Sequence, residues 1–234
     1  MFVAGVDGCK GGWIAVFRNA KTGRAFARFA ETLAEIVDAS EAPRWVAVDM
    51  PMGFADSAER GGRDCERAAR AILGPAGRAS CVFSAPSRAA LAAETYPEAL
   101  ARNREGAGVG LSKQAFNLFP KMHEVDALLR ARAGIGLFES HPEIAFARLA
   151  GAPLRAAKKT QAGQRARLAL LQKAGFRDVR DWLDLFPRKS VAPDDVLDAA
   201  VVCLTALRRA RGLAERLPDD APKDRFGIEM AIWR

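Results

Sequence analysis

Two short apolar runs that each end on an aspartate constrain this chain most. Residues 2–6 run into Asp7, and residues 45–48 run into Asp49. Short runs rich in apolar and β-branched residues read as buried strands. Ligands of open α/β sheets bind at strand ends. A carboxylate there is costly to bury without a partner. Two of them on neighbouring strands repel, and a divalent cation cancels that repulsion. Each aspartate also has a local reading. Asp7-Gly8 is a common hairpin dipeptide, and Asp49 can start a turn before Met50-Pro51. Taken together they favour a site.

The rest of the chain supplies a fold around them. Residues 8–12 are a glycine-rich turn, and residues 13–17 and 24–29 are two further strands. The first three strands form an antiparallel meander. Residues 32–39 carry apolar residues at helical spacing, with Thr32 as N-cap. The order strand, strand, strand, helix, strand predicts an α/β protein of RNase H-like type, a mixed β-sheet flanked by helices. Helical patterns over 63–73, 96–103 and 120–132, a loop over 74–88 and a glycine-rich link over 106–112 make 52–132 a helical insertion after the fourth strand. Residues 135–138 are a fifth strand. Residues 160–174 form a basic helix. The segment 191–194 introduces a last helix running to about 217, and 226–233 is a terminal strand. With 234 residues and no repeat or linker, one domain spanning 1–234 is expected.

The formal charge is +8 and the pI near 9.7. A basic surface favours polyanions such as nucleic acid; an ordinary protein rich in Arg and Ala has the same balance. Cys9, Cys65, Cys81 and Cys203 are scattered without a C-x-x-C pair, which fits free thiols in a reducing compartment and excludes zinc-ligand spacing. No basic leader or membrane-length apolar run occurs. A soluble, cytoplasmic protein is expected.

Further acids and bases complete the candidate site. Asp195 and Asp198 are three apart on the last helix and share a face. The local alternative makes Asp194 the N-cap, with acids in the first turn favoured by the helix dipole; it explains Asp198 least well. Glu139-x-His141-Pro142-Glu143 follows the fifth strand. Glu139 is a candidate ligand or base, while His141 and Glu143 also fit a strand-to-helix turn with Pro142 at the first helical position. Lys10, Arg63, Arg70, Arg88, Lys121, Lys158, Lys159 and Arg165 are candidate phosphate contacts. Solvated surface charge is the ordinary alternative for each.

The segments V-D-G-C-K-G-G-W, V-D-M-P-M-G-F, R-x-C-E-x-x-A-R-x-x-L-G, S-A-P-S-R, F-N-L-F-P-K-M-H-E-V-D, E-S-H-P-E and D-D-V-L-D-A resemble a bacterial and archaeal family of unknown function, described as predicted RNase H-like nucleases. The resemblance covers nearly the whole chain. Within the wider superfamily it is most similar to the RuvC-like branch, which has an acid on the first strand, an acid at the fourth and two acids three apart on the last helix. Asp7, Asp49, Asp195 and Asp198 match these in turn, with Asp49 in place of that branch's Glu.

The resemblance implies a metal-dependent nuclease in which Asp7, Asp49, Asp195 and Asp198 hold two Mg²⁺ or Mn²⁺ ions about 4 Å apart, with DNA or RNA as substrate. Two other readings stay open. One is a phosphotransferase or nucleotide-binding protein of actin or sugar-kinase type, whose phosphate turn the sequence Asp7-Gly8-Cys9-Lys10-Gly11-Gly12 loosely fits. The other is a non-catalytic nucleic-acid-binding domain.

Overall fold

The computed structural model describes residues 1–132 and 134–234. The strands β1 (Phe2–Cys9), β2 (Gly12–Asn19) and β3 (Ala25–Ala30) form an antiparallel meander. The helix α1 (Leu33–Val37), capped by the Thr32 hydroxyl on Glu35 N–H, crosses to β4 (Val46–Asp49), which lies parallel to β1. The fifth strand, β5 (Leu137–Glu139), lies parallel to β4. The sheet is therefore mixed and open, ordered β3-β2-β1-β4-β5.

Between β4 and β5 lie α2 (Asp64–Leu73), α3 (Arg88–Leu91), α4 (Tyr96–Arg104), α5 (Lys113–Asn117) and α6 (Phe119–Ala131). After β5 come α7 (Pro142–Ala150), α8 (Gln161–Lys173), α9 (Val179–Trp182) and α10 (Pro193–Ala210). A two-stranded ribbon pairs β6 (Arg216–Leu217) with β7 (Ile232–Trp233). Among the described residues no helix is long and apolar enough to cross a membrane.

Period-two alternation sorts the strand side chains between two cores. Val3, Ile14, Val16, Ala47 and Phe138 pack with residues of α7, α8, α9 and α10 on one face. Ala4, Val6, Trp13, Ala15, Phe17, Val46, Val48 and Leu137 pack on the other, with α1 and the helices between β4 and β5. The last helix rides closest to the sheet. A Cβ on Gly5 of β1 would stand 2.1 Å from Cys203 N and 2.3 Å from Ala199 O, so only glycine lets the two backbones approach this far.

Several local expectations are corrected. Strand β1 runs through Asp7 to Cys9, and the hairpin turn is only Lys10-Gly11, so Asp7 is a strand residue facing Ile14 and not a turn former. The N-cap of α10 is Ala192, not Asp194. Pro193 occupies the first helical position, and Asp195 reaches back to the Ala192 N–H at 2.9 Å. The helix ends at Ala210, where the left-handed Gly212 and the bond from Arg208 to Leu213 O turn the chain. Of the expected terminal strand only Ile232–Trp233 is extended. Upstream, the Asp224 carboxylate takes the N–H groups of Phe226 and Ile228 and closes a turn.

A buried carboxylate cluster

Alternation and register bring the acids together. In β1, Val3, Gly5 and Asp7 share the face beneath α10, and in β4 Ala47 and Asp49 share it too. Parallel pairing sets Asp7 directly beside Asp49. From above, α10 presents Asp198, which is only 1% exposed. One carboxylate oxygen from each of Asp7, Asp49 and Asp198 lies within 4.8 Å of the others. Asp7 is buried as well, while Asp49 is partly open to a cleft of about 310 Å³.

The local cations do not neutralise this charge. Lys158 Nζ bonds Asp198 Oδ2 at 2.6 Å and lies 3.6 Å from Asp194. Burial opposes the Lys158 charge, but Asp198, Asp7 and Asp49 outweigh it and hold the ammonium above its usual range. Burial likewise pushes Asp7 well above the usual carboxylate range, with Asp49, Asp198 and Asp195 adding to the effect. Burial pushes Asp49 and Asp198 each up to about 7, against the pull of Lys158. Asp198 Oδ1 is buried and has no hydrogen-bond partner.

The cleft has further polar walls. Glu143, in the first turn of α7, is 5% exposed. Its Oε1 is held by Arg167 at 2.6 Å and by Arg78 at 3.4 Å, and its Oε2 is buried without a partner. His141 Nε2 sits 3.3 Å from Cys81 O, and burial lowers the ring's pKa, so it stays neutral at pH 7. Lys121, from α6 on the other face, is not part of the cleft lining. Its ammonium bonds Gly12 O and lies 4.4 Å from the centre of the Trp13 ring. Gly8 makes room for it, since a Cβ there would stand 2.7 Å from Lys121 Cδ.

A model of one protein family matches residues 5–223, from the strand bearing the first acid to beyond α10. The chain belongs to the DUF429 family, described as proteins of unknown function. No curated protein and no solved structure matches it.

In this DUF429 member the other candidates stand elsewhere. Asp195 lies outside the three-acid group, its Oδ2 committed to the Ala192 N–H, although its charge still reaches Asp7 and Asp49. Glu139 shares the face of Leu137, opposite to Asp7 and Asp49. Its carboxylate is held by Arg63 at 2.8 and 2.9 Å and by Met52 N at 2.8 Å. Arg63 also bonds Glu66 at 2.7 Å and is buried, so it offers a phosphate nothing. Arg88 is pinned between Asp126 and Asp224. Arg70 is spent on Val82 O, Gly61 O and Ser84. Lys10, Lys159 and Arg165 are exposed and outside the cleft lining. Gly11 N–H already donates to Ser190 O at 3.3 Å, which leaves the β1–β2 turn poorly suited to cradle phosphates. Sequence reasoning missed Arg78 and Arg167. The only signal for their place was Glu143, a carboxylate in need of cations.

Proposed function

We propose that this protein is a metal-dependent phosphodiesterase acting on nucleic acid, built on an RNase H-like sheet. The observation that carries the reading is the meeting of Asp7, Asp49 and Asp198, from three elements distant in sequence, within 4.8 Å beneath α10. A chain folded for stability alone gains nothing from three crowded acids whose protonation is forced upward by burial. The antiparallel meander, helical crossover and parallel fourth and fifth strands support the RNase H-like reading.

The donor set fits Mg²⁺ or Mn²⁺. All three groups are hard oxygen ligands, the cluster holds more negative charge than Lys158 offsets, and Asp198 Oδ1 lacks any partner. A divalent ion held by Asp7, Asp49 and Asp198 would supply Lewis-acid activation of a phosphodiester. This chain's own residues do the rest. Lys158 at the cluster and Arg78 in the cleft wall bring positive charge toward a phosphate. Glu143, its Oε1 fixed by Arg167, keeps Oε2 free to accept a proton from the attacking water. The excess of basic residues favours a polyanionic substrate.

The test is cleavage of labelled single- and double-stranded DNA and RNA with Mn²⁺, Mg²⁺ or EDTA. Metal-dependent products are expected from the wild type and none from Asp7→Asn, with the circular dichroism spectrum unchanged. Cleavage by Asp7→Asn, or cleavage in EDTA, removes the mechanism. Nucleic-acid binding without turnover favours the non-catalytic alternative.

A further inference from the structure

A larger cleft, of about 560 Å³, opens along the β5 edge, away from the three acids. That volume suits a small-molecule site. Its electrostatics are one-sided. The acids in its lining are already neutralised: Glu139 by Arg63 at 2.8 Å, and Glu229 by Arg216 at 2.6 Å. Of its cations Arg132 is paired with Asp38 at 2.6 Å, but Arg209, Lys223 and Arg130 are not neutralised in this way. Arg209 lies over the rings of Trp233, Trp45 and Phe138 at 3.7, 4.6 and 4.7 Å, and its Nε and Nη1 are buried with no hydrogen-bond partner. Lys223 is exposed and has no ion-pair partner among the described residues. Arg130 reaches only to 3.7 Å of Asp126 Oδ2, an oxygen that Arg88 already takes at 2.6 Å.

The walls are aromatic. Phe226 is 44% exposed, and the Arg130 guanidinium lies 4.0 Å from its centre. Trp233 lines the cleft beside Arg209. Uncompensated guanidinium and ammonium groups beside accessible rings suit a ligand that joins a planar aromatic group to a phosphate.

We propose that this cleft binds a nucleoside phosphate, free or as a unit of a single strand, with its base along the Phe226–Trp233 wall and its phosphate at Arg209 and Lys223. The proposal needs no metal and is independent of the carboxylate cluster.

The experiment is fluorescence anisotropy in EDTA, with a fluorescently labelled adenosine monophosphate in one arm and fluorescein-labelled oligothymidine in the other. Saturable binding is expected in at least one arm. The mononucleotide binding as well as the strand identifies a free nucleotide; the strand alone binding identifies a nucleic acid. Lys223→Glu and Phe226→Ala, both at exposed positions, are expected to weaken binding about tenfold, a reversed charge or lost stacking face being enough for that. Their melting temperatures should match the wild type, and Asp7→Asn should bind normally. No saturable binding by either probe overturns the proposal, as does unchanged affinity in both cleft variants. Loss of binding in Asp7→Asn with retention in Lys223→Glu also overturns it, because the ligand then sits at the carboxylates.

Discussion

Removing one of the crowded acids should stabilise the protein when no metal is present. Asp49→Asn is the informative change, because Asn keeps the shape and deletes the charge. Burial lifts Asp49 from the usual 3.8 to about 7. At about 1.4 kcal/mol per unit, that rise corresponds to a destabilisation of about 4 kcal/mol once the group is ionised. The partly exposed edge toward the cleft lets water relieve some of it, so about 2–4 kcal/mol is expected. The sign follows from which state holds the proton. The unfolded chain loses it near 3.8 and the folded chain near 7, so stability falls as pH rises between those values and stays lowered above them. The assay is thermal unfolding in EDTA at pH 4.5 and pH 8, followed by circular dichroism. In a chain of this size, about 5–10 °C of added melting temperature is expected for Asp49→Asn at pH 8, and little at pH 4.5. Excess Mn²⁺ should raise the wild type and leave the variant nearly unmoved. A variant no more stable than wild type at pH 8, or a gap as large at pH 4.5, would refute the reasoning.

Three other substitutions probe separate parts of the argument. Lys158→Gln removes the ammonium that occupies Asp198 Oδ2; Mn²⁺ affinity by titration calorimetry should rise, and a fall would mean that Lys158 assists the ion instead of competing with it. Arg63→Met strands Glu66 and Glu139 without their shared cation, so urea unfolding should show a loss of about 3–5 kcal/mol, and an unchanged midpoint would contradict the ion-pair account. Gly5→Ala forces a methyl against the backbone of α10 and should cost about 1–3 kcal/mol or more; a well-dispersed NMR spectrum at wild-type stability would show that α10 can lift without penalty.

The legible part of the site was the part written in local patterns. Asp7 and Asp49 close apolar runs, and Asp198 sits a turn into an amphipathic helix with nothing local to explain it. Glu139 obeys the same run-end rule yet points the other way. A strand's ending says nothing about which face its last residue takes, and in β5 it is Phe138 that packs under α10. Asp195 shares a helical face with Asp198, but a carboxylate at the third helical position finds the N-cap amide closer than the sheet. The cations were unreadable for another reason. Arg63 meets Glu139 across 76 residues, and Arg88 meets Asp224 across 136. A basic residue in sequence does not disclose whether its charge is already spent. The meander and crossover were legible because consecutive elements pair, whereas the short α3, α5 and α9 each lack enough turns to show a period.

The close approach of α10 to β1 at Gly5 and the candidate chemistry have one origin. Gly5 admits α10 to the sheet, Asp7 lies two residues along the same face, and Asp198 lies one residue before Ala199, whose carbonyl faces Gly5. The approach that packs the helix therefore also drives the acids together. A less intimate fit, with a larger residue at position 5, would relax the repulsion but separate the oxygens. Packing and charge pull in opposite directions at this one spot, and the chain takes the arrangement that costs it stability while metal is absent. The cost is intelligible if a cation normally repays it. The same coupling makes the geometry of the three oxygens a property of the core, set by buried backbone and not by a loop that could drift.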